Sequence, residues 1–271
     1  MPLRRRRPGL PDTWQQILDA RSAAWRSLGL HDRTRLGELA DWLLRARRWE
    51  AARGFEITDE VRTVVAAHAV LPLLGLDESW YDGVGAIIVR DGSMTQRHTA
   101  GPVRGTFERS PQAVDGESHH DDGPLMVSWR AARREAANPR VGRDVVLHEF
   151  AHKIDMHDGV LDGTPLLPDD EQRQRWVDVC TAHYDAIRDG DPTQLLRSYA
   201  GTNPGEFFAV ATETFFTRSI DFAERHPDLY EVFVAFYRQD PAARARAHAE
   251  RTGAVAGVTT PRLVVVRRRP V

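Results

Sequence analysis

The stretch that decides the fold and the chemistry of this chain reads Val145-Val146-Leu147-His148-Glu149-Phe150-Ala151-His152. Its apolar run is typical of a helix that packs on a core. Residues four apart lie on one face of a helix, so the imidazoles of His148 and His152 can point at one metal ion. Glu149 lies beside them, within reach of a metal-bound water. This HExxH pattern predicts a zinc site on a core helix.

The chemistry follows from that ion. Zinc with three protein ligands and an open fourth position lowers the pKa of its bound water toward about 7. The carboxylate of Glu149 can then take the proton while the water attacks a carbonyl carbon, which is peptide hydrolysis. The alternative is that His148 and His152 are exposed helix residues paired with nearby carboxylates. Even with 11 histidines in the chain, a chance match to the motif is expected in only about a few per cent of such chains, so the metal site is favoured.

The third ligand is open between three positions. Asp158 lies six residues after His152, where metzincin-type sites place a ligand, but Asp155 occupies the position where those motifs need a glycine. No convincing methionine turn follows either, so Asp158 and His157 are expected to be helix-end or loop residues. Asp155 is expected either to support the site by hydrogen bonding or to be a surface carboxylate.

Glu206 and Glu213 are the other candidates, on a second helix with a clear start. Asn203 is a suitable N-cap and Pro204 fits the first turn. Seven residues put both glutamates on one face of that helix. Glu206 could instead be a capping-box acid that folds back onto the helix start. Spacing does not separate these roles, but either glutamate would give a gluzincin-type site closed by tertiary packing.

Several longer segments resemble the Mlc titration factor A family of bacterial zinc peptidases. The resemblance runs from about Leu39 to Asp240. It rests on Ala66 to Leu74, on Gly123-Pro124 followed by Ser128-Trp129, on His148 to Asp155, and on Tyr199 through Phe216. The catalytic region of the family is similar to the metalloprotease domain of anthrax lethal factor.

The resemblance implies Glu206, rather than Glu213, as the third ligand. Both families carry a tyrosine seven residues before the glutamate ligand, and Tyr199 and Glu206 keep that spacing. It also implies a role for Tyr199 beside the zinc, where a phenol hydroxyl can donate to a developing oxyanion. Tyr199 as a packing residue is the alternative. Glu213 then becomes a supporting or structural residue.

As a whole, the resemblance implies a zinc-dependent aminopeptidase that acts on peptides and holds one Zn²⁺ per chain. A zinc endopeptidase stays open, because no residue can be identified that binds a substrate amino terminus. An alternative from another class is a regulatory protein with structural zinc that binds a transcriptional repressor, since enterobacterial members bind the repressor Mlc. The presence of Glu149 weighs against it, because a protein without catalysis is free to lose a residue that is not a ligand.

The composition of the chain indicates which partners and which cellular location to expect. The chain has 271 residues, a net charge of −2 and one cysteine, Cys180, for which a small buried role is expected. Arginine clusters at Arg4 to Arg7 and Arg267 to Arg269 are typical of solvated tails, so no nucleic-acid partner is expected. No apolar segment fits a signal peptide or a membrane span, which favours a cytoplasmic protein.

The periodicity predicts an α+β fold, mainly helical with a small sheet around a gluzincin-like zinc core. Residues 1–271 are expected to form one domain, with an N-terminal helical part at about 12–75, a catalytic core at about 80–251 and flexible tails at 1–11 and 252–271. The predicted helices cover about 12–27, 33–49, 58–74, 141–157, 170–188, 204–217, 227–238 and 241–251. The predicted strands are 84–89, 125–129 and a strand-like end at 263–266.

Three local features carry further expectations. The strand at 125–129 is predicted to be an edge strand that holds an extended peptide by main-chain hydrogen bonds. The segment 91–123 is predicted to be a long polar loop, and its His119-His120-Asp121-Asp122 is favoured as solvated residues over a metal site. His68 is expected to be a core histidine with a hydrogen-bond partner rather than a ligand.

Overall fold

A computed structural model of the chain describes residues 10–52, 54–92, 94–95, 113–114, 116–118 and 124–253. The arginine clusters, the histidine and aspartate cluster at 119–122 and the predicted strand-like end at 263–266 lie outside these residues. Helices in the described part are α1 Asp12–Arg21, α2 Ala23–Ser27, α3 Leu30–Ala46, α4 Asp59–Ala69, α5 Trp129–Ala137, α6 Val145–Asp155, α7 Asp170–Arg188, α8 Pro204–Thr217, α9 Ser219–Arg225, α10 Pro227–Tyr237 and α11 Pro241–Thr252. Strands are β1 Arg48–Ala51, β2 Ala86–Arg90, β3 Met94–Thr95, β4 Ala113–Val114, β5 Gly116–Ser118 and β6 Leu125–Ser128.

The sheet is small and mostly parallel. Its strand order is β1-β2-β6-β5, in which β1, β2 and β6 run parallel and β5 pairs antiparallel with β6. A separate antiparallel pair joins β3 and β4. A mainly helical chain with a small four-stranded sheet and a separate strand pair confirms the α+β class.

The predicted edge strand is wrong. β6 lies between β2 and β5, with Val127 opposite Val89 on one side and Gly116 on the other. The edge position belongs instead to the short strand β5, inside a segment that was predicted to be loop. A proline at Val127 would therefore remove ladder hydrogen bonds from an inner strand and damage the fold. A loss of peptide binding in such a variant could not be assigned to β6 as the strand that holds the substrate.

Several element boundaries also differ from the predictions. The predicted helix at 33–49 ends at Ala46, because the following residues pair with β2 as strand β1. The predicted helix at 12–27 breaks at Ser22, whose hydroxyl accepts from the amide of Trp25 and caps α2. Helices α5 and α9 were not predicted. The strand before α5 ends at Ser128, whose hydroxyl caps that helix, so the chain changes from strand to helix without a loop.

Helices α6 and α8 form the centre of the molecule. α6 packs against α8, α4 and the strands β5 and β6. Every residue of α8 from Phe207 to Phe215 is buried, which is typical of a helix surrounded by protein. Its apolar side packs on the aromatic side chains of α7 and α10, including Trp176, Phe233 and Tyr237. No helix in the described ranges is long and apolar enough to span a membrane.

The segment after α6 is held by hydrogen bonds to the end of α6 and to α7. The amide of Gly163 donates to both carboxylate oxygens of Asp155, at 3.0 and 2.9 Å, and the carbonyl of Gly163 accepts from the indole of Trp176. Asp155 is fully buried, so the alternative that it is a surface carboxylate is wrong. Burial is the main cause that raises the pKa of Asp155 to about 7.

Gly163 lies so close to the start of α8 that the structure has no room for a side chain at this position. Its φ is +78°, and a Cβ atom built on it would lie 2.5 Å from the carbonyl oxygen of Pro204. Gly163→Ala is expected to destabilise the protein by about 3 kcal/mol or more, because left-handed strain adds to a backbone collision. Gly190→Ala is the matched control: its φ is +76° and nothing lies within 4 Å of the added Cβ. It should cost only the about 1–2 kcal/mol of left-handed strain. Equal losses for the two variants in urea unfolding would refute the proposed collision.

Candidate metal centre

Three side chains from α6 and α8 converge on one point. His148, His152 and Glu206 each offer one ligand atom, and these atoms all lie within 4.8 Å of one another. Oε2 of Glu206 is 3.2 Å from Nε2 of His148 and 3.7 Å from Nε2 of His152. The two imidazole rings stand at 90° to each other. This group brings together the HExxH histidines and a glutamate that lies more than fifty residues further along the chain.

Helix α6 is held at its start by buried acids. Oδ1 of Asp144 accepts from the amides of Val146 and Leu147, both at 3.1 Å, as an N-cap does. The amide of Val145 donates to the buried carboxylate of Glu135 at 2.9 Å. The first-turn amides of this helix thus have fixed partners, and negative charge stands where the helix dipole favours it. This capping fixes the helix from which His148 and His152 project.

Helix α8 places Glu206 by its own cap. The side-chain oxygen of Asn203 accepts from the amide of Glu206 at 2.9 Å, and Pro204 stands in the first turn. The Glu206 side chain turns toward the histidines, with Oε1 accepting from the hydroxyl of Tyr199 at 3.0 Å. The Asn203 cap was predicted correctly, but the alternative that the Glu206 carboxylate folds back onto the helix start is wrong.

The residues fit a divalent cation. Bonds of 2.0–2.1 Å at tetrahedral angles put neighbouring ligand atoms about 3.3 Å apart, close to the separations of Glu206 from the two imidazoles. Oε2 of Glu206 is buried and makes no well-aligned hydrogen bond among the described residues, although nitrogens of both imidazoles lie beside it. A carboxylate oxygen buried without a donor is costly unless a cation meets it. Two imidazoles and one carboxylate are, moreover, the donor set of His₂Glu zinc sites.

The electrostatics of the cluster lead to the same conclusion. Burial lowers the pKa of His148, but the attraction of Glu213 and Glu206 outweighs it and raises that pKa to about 10. Burial likewise opposes the charge of Glu206, yet its contacts with His148 and His152 hold its pKa well below the usual value. The pKa of His152 is lowered, chiefly by burial. The site therefore attracts positive charge, which a metal ion supplies in place of a proton.

Glu149 lies beside the cluster without belonging to it. Its side chain is 2% exposed, and it is not among the three residues whose ligand atoms converge. Its charge contributes to raising the pKa values of both His148 and Tyr199, so its carboxylate lies near both side chains. A carboxylate next to the ligands but outside their group is what a proton acceptor requires.

Tyr199 lies beside Glu206 and His148. It belongs to a short 3₁₀ turn, Ser198–Gly201, and is only partly buried. Burial is the main cause that raises the pKa of its phenol, with Glu206 adding to it. The hydroxyl therefore keeps its proton and acts as a donor at neutral pH. Its ring centroid is 6.3 Å from that of His148.

Other residues singled out in the sequence lie apart from the cluster. Asp158 and His157 occupy a short turn after α6, as expected, with Asp158 accepting from the amide of Val160 and His157 stacking on Trp80. His68 is buried between Ser22 and Asp144, which confirms a core histidine with partners. Cys180 is buried, as expected, and burial raises the pKa of its thiol.

Three polar residues near the site were not singled out from the sequence. Arg197 and Asp144 both donate to Glu213, and Glu135 caps α6. A usable signal existed only for Asp144, which directly precedes the apolar run of α6 in the manner of an N-cap. Arg197 and Glu135 reach the site through tertiary packing and carry no local pattern.

Comparisons with known proteins cover nearly the whole chain. A family model described as glucose-regulated metallo-peptidase M90 matches residues 2–238. An uncharacterized protein of Synechocystis sp. is 32% identical over 236 residues, which are 86% of this chain and 86% of that protein. Proteins called Mlc titration factor A from Salmonella schwarzengrund and Enterobacter sp. are each 30% identical over 229 residues, which are 82% of this chain and 85% of theirs. The family match includes the whole cluster described above.

Proposed function

Because this chain belongs to the glucose-regulated metallo-peptidase M90 family, we propose that it is a zinc-dependent peptidase with a gluzincin-type site, acting as an aminopeptidase. The observation that carries the proposal is the convergence of His148, His152 and Glu206, with Glu149 beside them. Family membership makes the chain a metallopeptidase and a peptide its substrate. The choice of zinc rests on the His₂Glu donor set. The amino-terminal preference rests on the resemblance noted in the sequence.

In this proposal the three ligands hold one zinc ion, which would supply Lewis acidity for a water and for the scissile carbonyl. Glu149 takes the proton of the attacking water and passes it to the leaving amine. Its 2% exposure keeps bulk water from competing for that proton. The hydroxyl of Tyr199 donates a hydrogen bond to the oxyanion that develops on the carbonyl oxygen. In the absence of substrate the same hydroxyl is held by Glu206 at 3.0 Å, and so it is already oriented toward the site.

Tyr199→Phe tests the oxyanion role. The variant should bind zinc as the wild type does, because Glu206 keeps its contacts with both histidines. Its kcat should fall by about 10²–10³-fold, the usual cost of one oxyanion donor. Metal analysis beside steady-state kinetics measures both quantities. A Tyr184→Phe variant is a control, since Tyr184 is also partly buried but packs on Phe207 away from the cluster. Unchanged kcat for Tyr199→Phe would leave Tyr199 a packing residue.

The substrate panel separates aminopeptidase from endopeptidase. Amino-acid p-nitroanilides with a free amino group should be cleaved, and the same compounds with an acetylated amino group should not. Cleavage of internally quenched peptides blocked at both ends would establish the endopeptidase alternative. Either outcome keeps the zinc-peptidase core of the proposal.

A regulatory protein that binds a transcriptional repressor is the second candidate. Its support is the printed name of the curated relatives, Mlc titration factor A. For such a protein the metal would be structural, and Glu149 would not act as a general base. A protein that holds zinc, cleaves no member of the panel and still associates with a repressor would establish it.

A further inference from the structure

Glu213 binds the side of the His148 imidazole that is turned away from the cluster. Nδ1 of His148 donates to Oε1 of Glu213 at 2.7 Å, while Nε2 of the same ring faces Glu206. We propose that Glu213 is a positioning residue that fixes the orientation and tautomer of His148 for metal binding. The proposal rests on the metal-binding half of the proposed function and not on the reaction.

The tautomer follows from the contact. A carboxylate only accepts, so the hydrogen on Nδ1 stays directed at Glu213, and Nε2 is the nitrogen whose proton a metal ion replaces and whose lone pair then binds it. Glu206 and Glu213 are seven residues apart on α8, and together they hold one ring from both sides. The second histidine has no such support, because Nδ1 of His152 is buried without a hydrogen-bond partner within the described residues. The outer contact is thus specific to His148.

Glu213 is itself immobilised by two more donors. The guanidinium of Arg197 donates to Oε1 at 2.6 Å, and the amide of Asp144 donates to Oε2 at 2.7 Å. The Glu213 side chain is 1% exposed. Both oxygens therefore have fixed partners, and the carboxylate has no room to follow a rotating imidazole. A rigid acceptor of this kind holds its donor in one orientation.

The hydrogen bonds that hold Glu213 continue through Asp144 into the N-terminal helices. The second carboxylate oxygen of Asp144 accepts from Nδ1 of His68, and Nε2 of His68 accepts from the hydroxyl of Ser22 at 2.8 Å. Ser22, His68 and Asp144 are all buried. These contacts fix the backbone of Asp144, and with it the amide that holds Glu213. Buried polar groups whose partners are all present rigidify their surroundings.

The competing role for Glu213 is plain helix capping. Its Oε2 accepts the amide of Asp144 at the start of α6, and a buried cap supports a helix whether or not a metal is bound. Glu135 provides the comparison, because it is also buried and accepts the next amide, that of Val145, but does not touch His148. Glu135→Gln removes a capping carboxylate and its ion pair with the exposed Arg134, but no contact with His148. Glu213→Gln removes capping charge and the contact with His148.

The experiment measures the zinc dissociation constant of the full chain by competition with a chelator of known affinity. Glutamine has one accepting oxygen, so it cannot accept hydrogen bonds from all three donors that surround the carboxylate of Glu213. Glu213→Gln should weaken zinc binding by about 10–100-fold, the usual effect of losing such a partner. Glu135→Gln should stay within about threefold of the wild type. With Co²⁺ in place of zinc, the visible spectrum should change in Glu213→Gln and not in Glu135→Gln.

Two results would overturn the proposal: wild-type affinity in Glu213→Gln, or equal weakening in the two variants. If Glu213→Gln does not fold, Arg197→Met decides, since it frees one side of Glu213 at a partly exposed position. It should weaken zinc binding by about 10-fold, and unchanged affinity would again overturn the proposal. A wild type that binds zinc without cleaving peptides would end the proposed function and leave this one standing.

Discussion

Glu206→Gln is expected to lose zinc and peptide hydrolysis together. The substitution keeps the size of the side chain but removes the charge of the only carboxylate in the convergent cluster of the described residues. Two imidazoles alone hold a divalent ion poorly. The loss of affinity should exceed the about 10–100-fold that follows from disturbing a ligand's partner, and activity should fall to background. Elemental analysis after gel filtration, beside a p-nitroanilide assay, measures both.

Glu171→Gln is the matched control for Glu206→Gln. Glu171 also lies in the first turn of a helix, α7, where its charge interacts favourably with the helix dipole, but it is exposed and is not part of the convergent cluster. Full zinc and activity in Glu171→Gln, with both lost in Glu206→Gln, would assign the third ligand. If Glu206→Gln kept zinc at wild-type affinity, Glu206 would not be a ligand.

Glu149→Gln is expected to separate metal binding from catalysis. Glu149 stands outside the ligand group, so the variant should hold one equivalent of zinc with unchanged affinity. An amide cannot accept a proton from water at neutral pH, so kcat should fall by about 10²–10⁴-fold while KM changes little. Glu38→Gln, on the partly exposed face of α3, is a control that should alter neither quantity. Activity near the wild-type level with full zinc would rule out Glu149 as the base.

That the two histidine side chains lie on one face of α6 was predictable because their pattern is local. Residues four apart on one helix fix their own geometry, so His148 and His152 required no knowledge of the rest of the fold. Glu206 was not reachable in the same way. Its distance from the histidines depends on how α6 packs on α8, and spacing left it equal to Glu213. The family resemblance favoured Glu206, and the packing of the two helices brings its carboxylate next to both histidines.

The errors share one physical cause. The helix expected at 33–49 gives way to β1 because Arg48–Ala51 pair with β2, a partner more than thirty residues away. The strand Leu125–Ser128 was taken for an edge because β5 comes from a segment with no strand pattern of its own. Sheet order is set by pairing between distant segments, and a hydrophobic run carries no information about its neighbours. Arg197 and Glu135 escaped notice for the same reason.

A requirement for one zinc ion, held by His148, His152 and Glu206, is the core of the proposed function. Its most direct test is to strip the wild-type protein with a chelator, confirm by elemental analysis that the zinc is gone, and add zinc back while following hydrolysis of amino-acid p-nitroanilides. Activity is expected to disappear with the metal and to return in full at one equivalent. A protein that binds one equivalent tightly and cleaves no peptide before or after the treatment would contradict it.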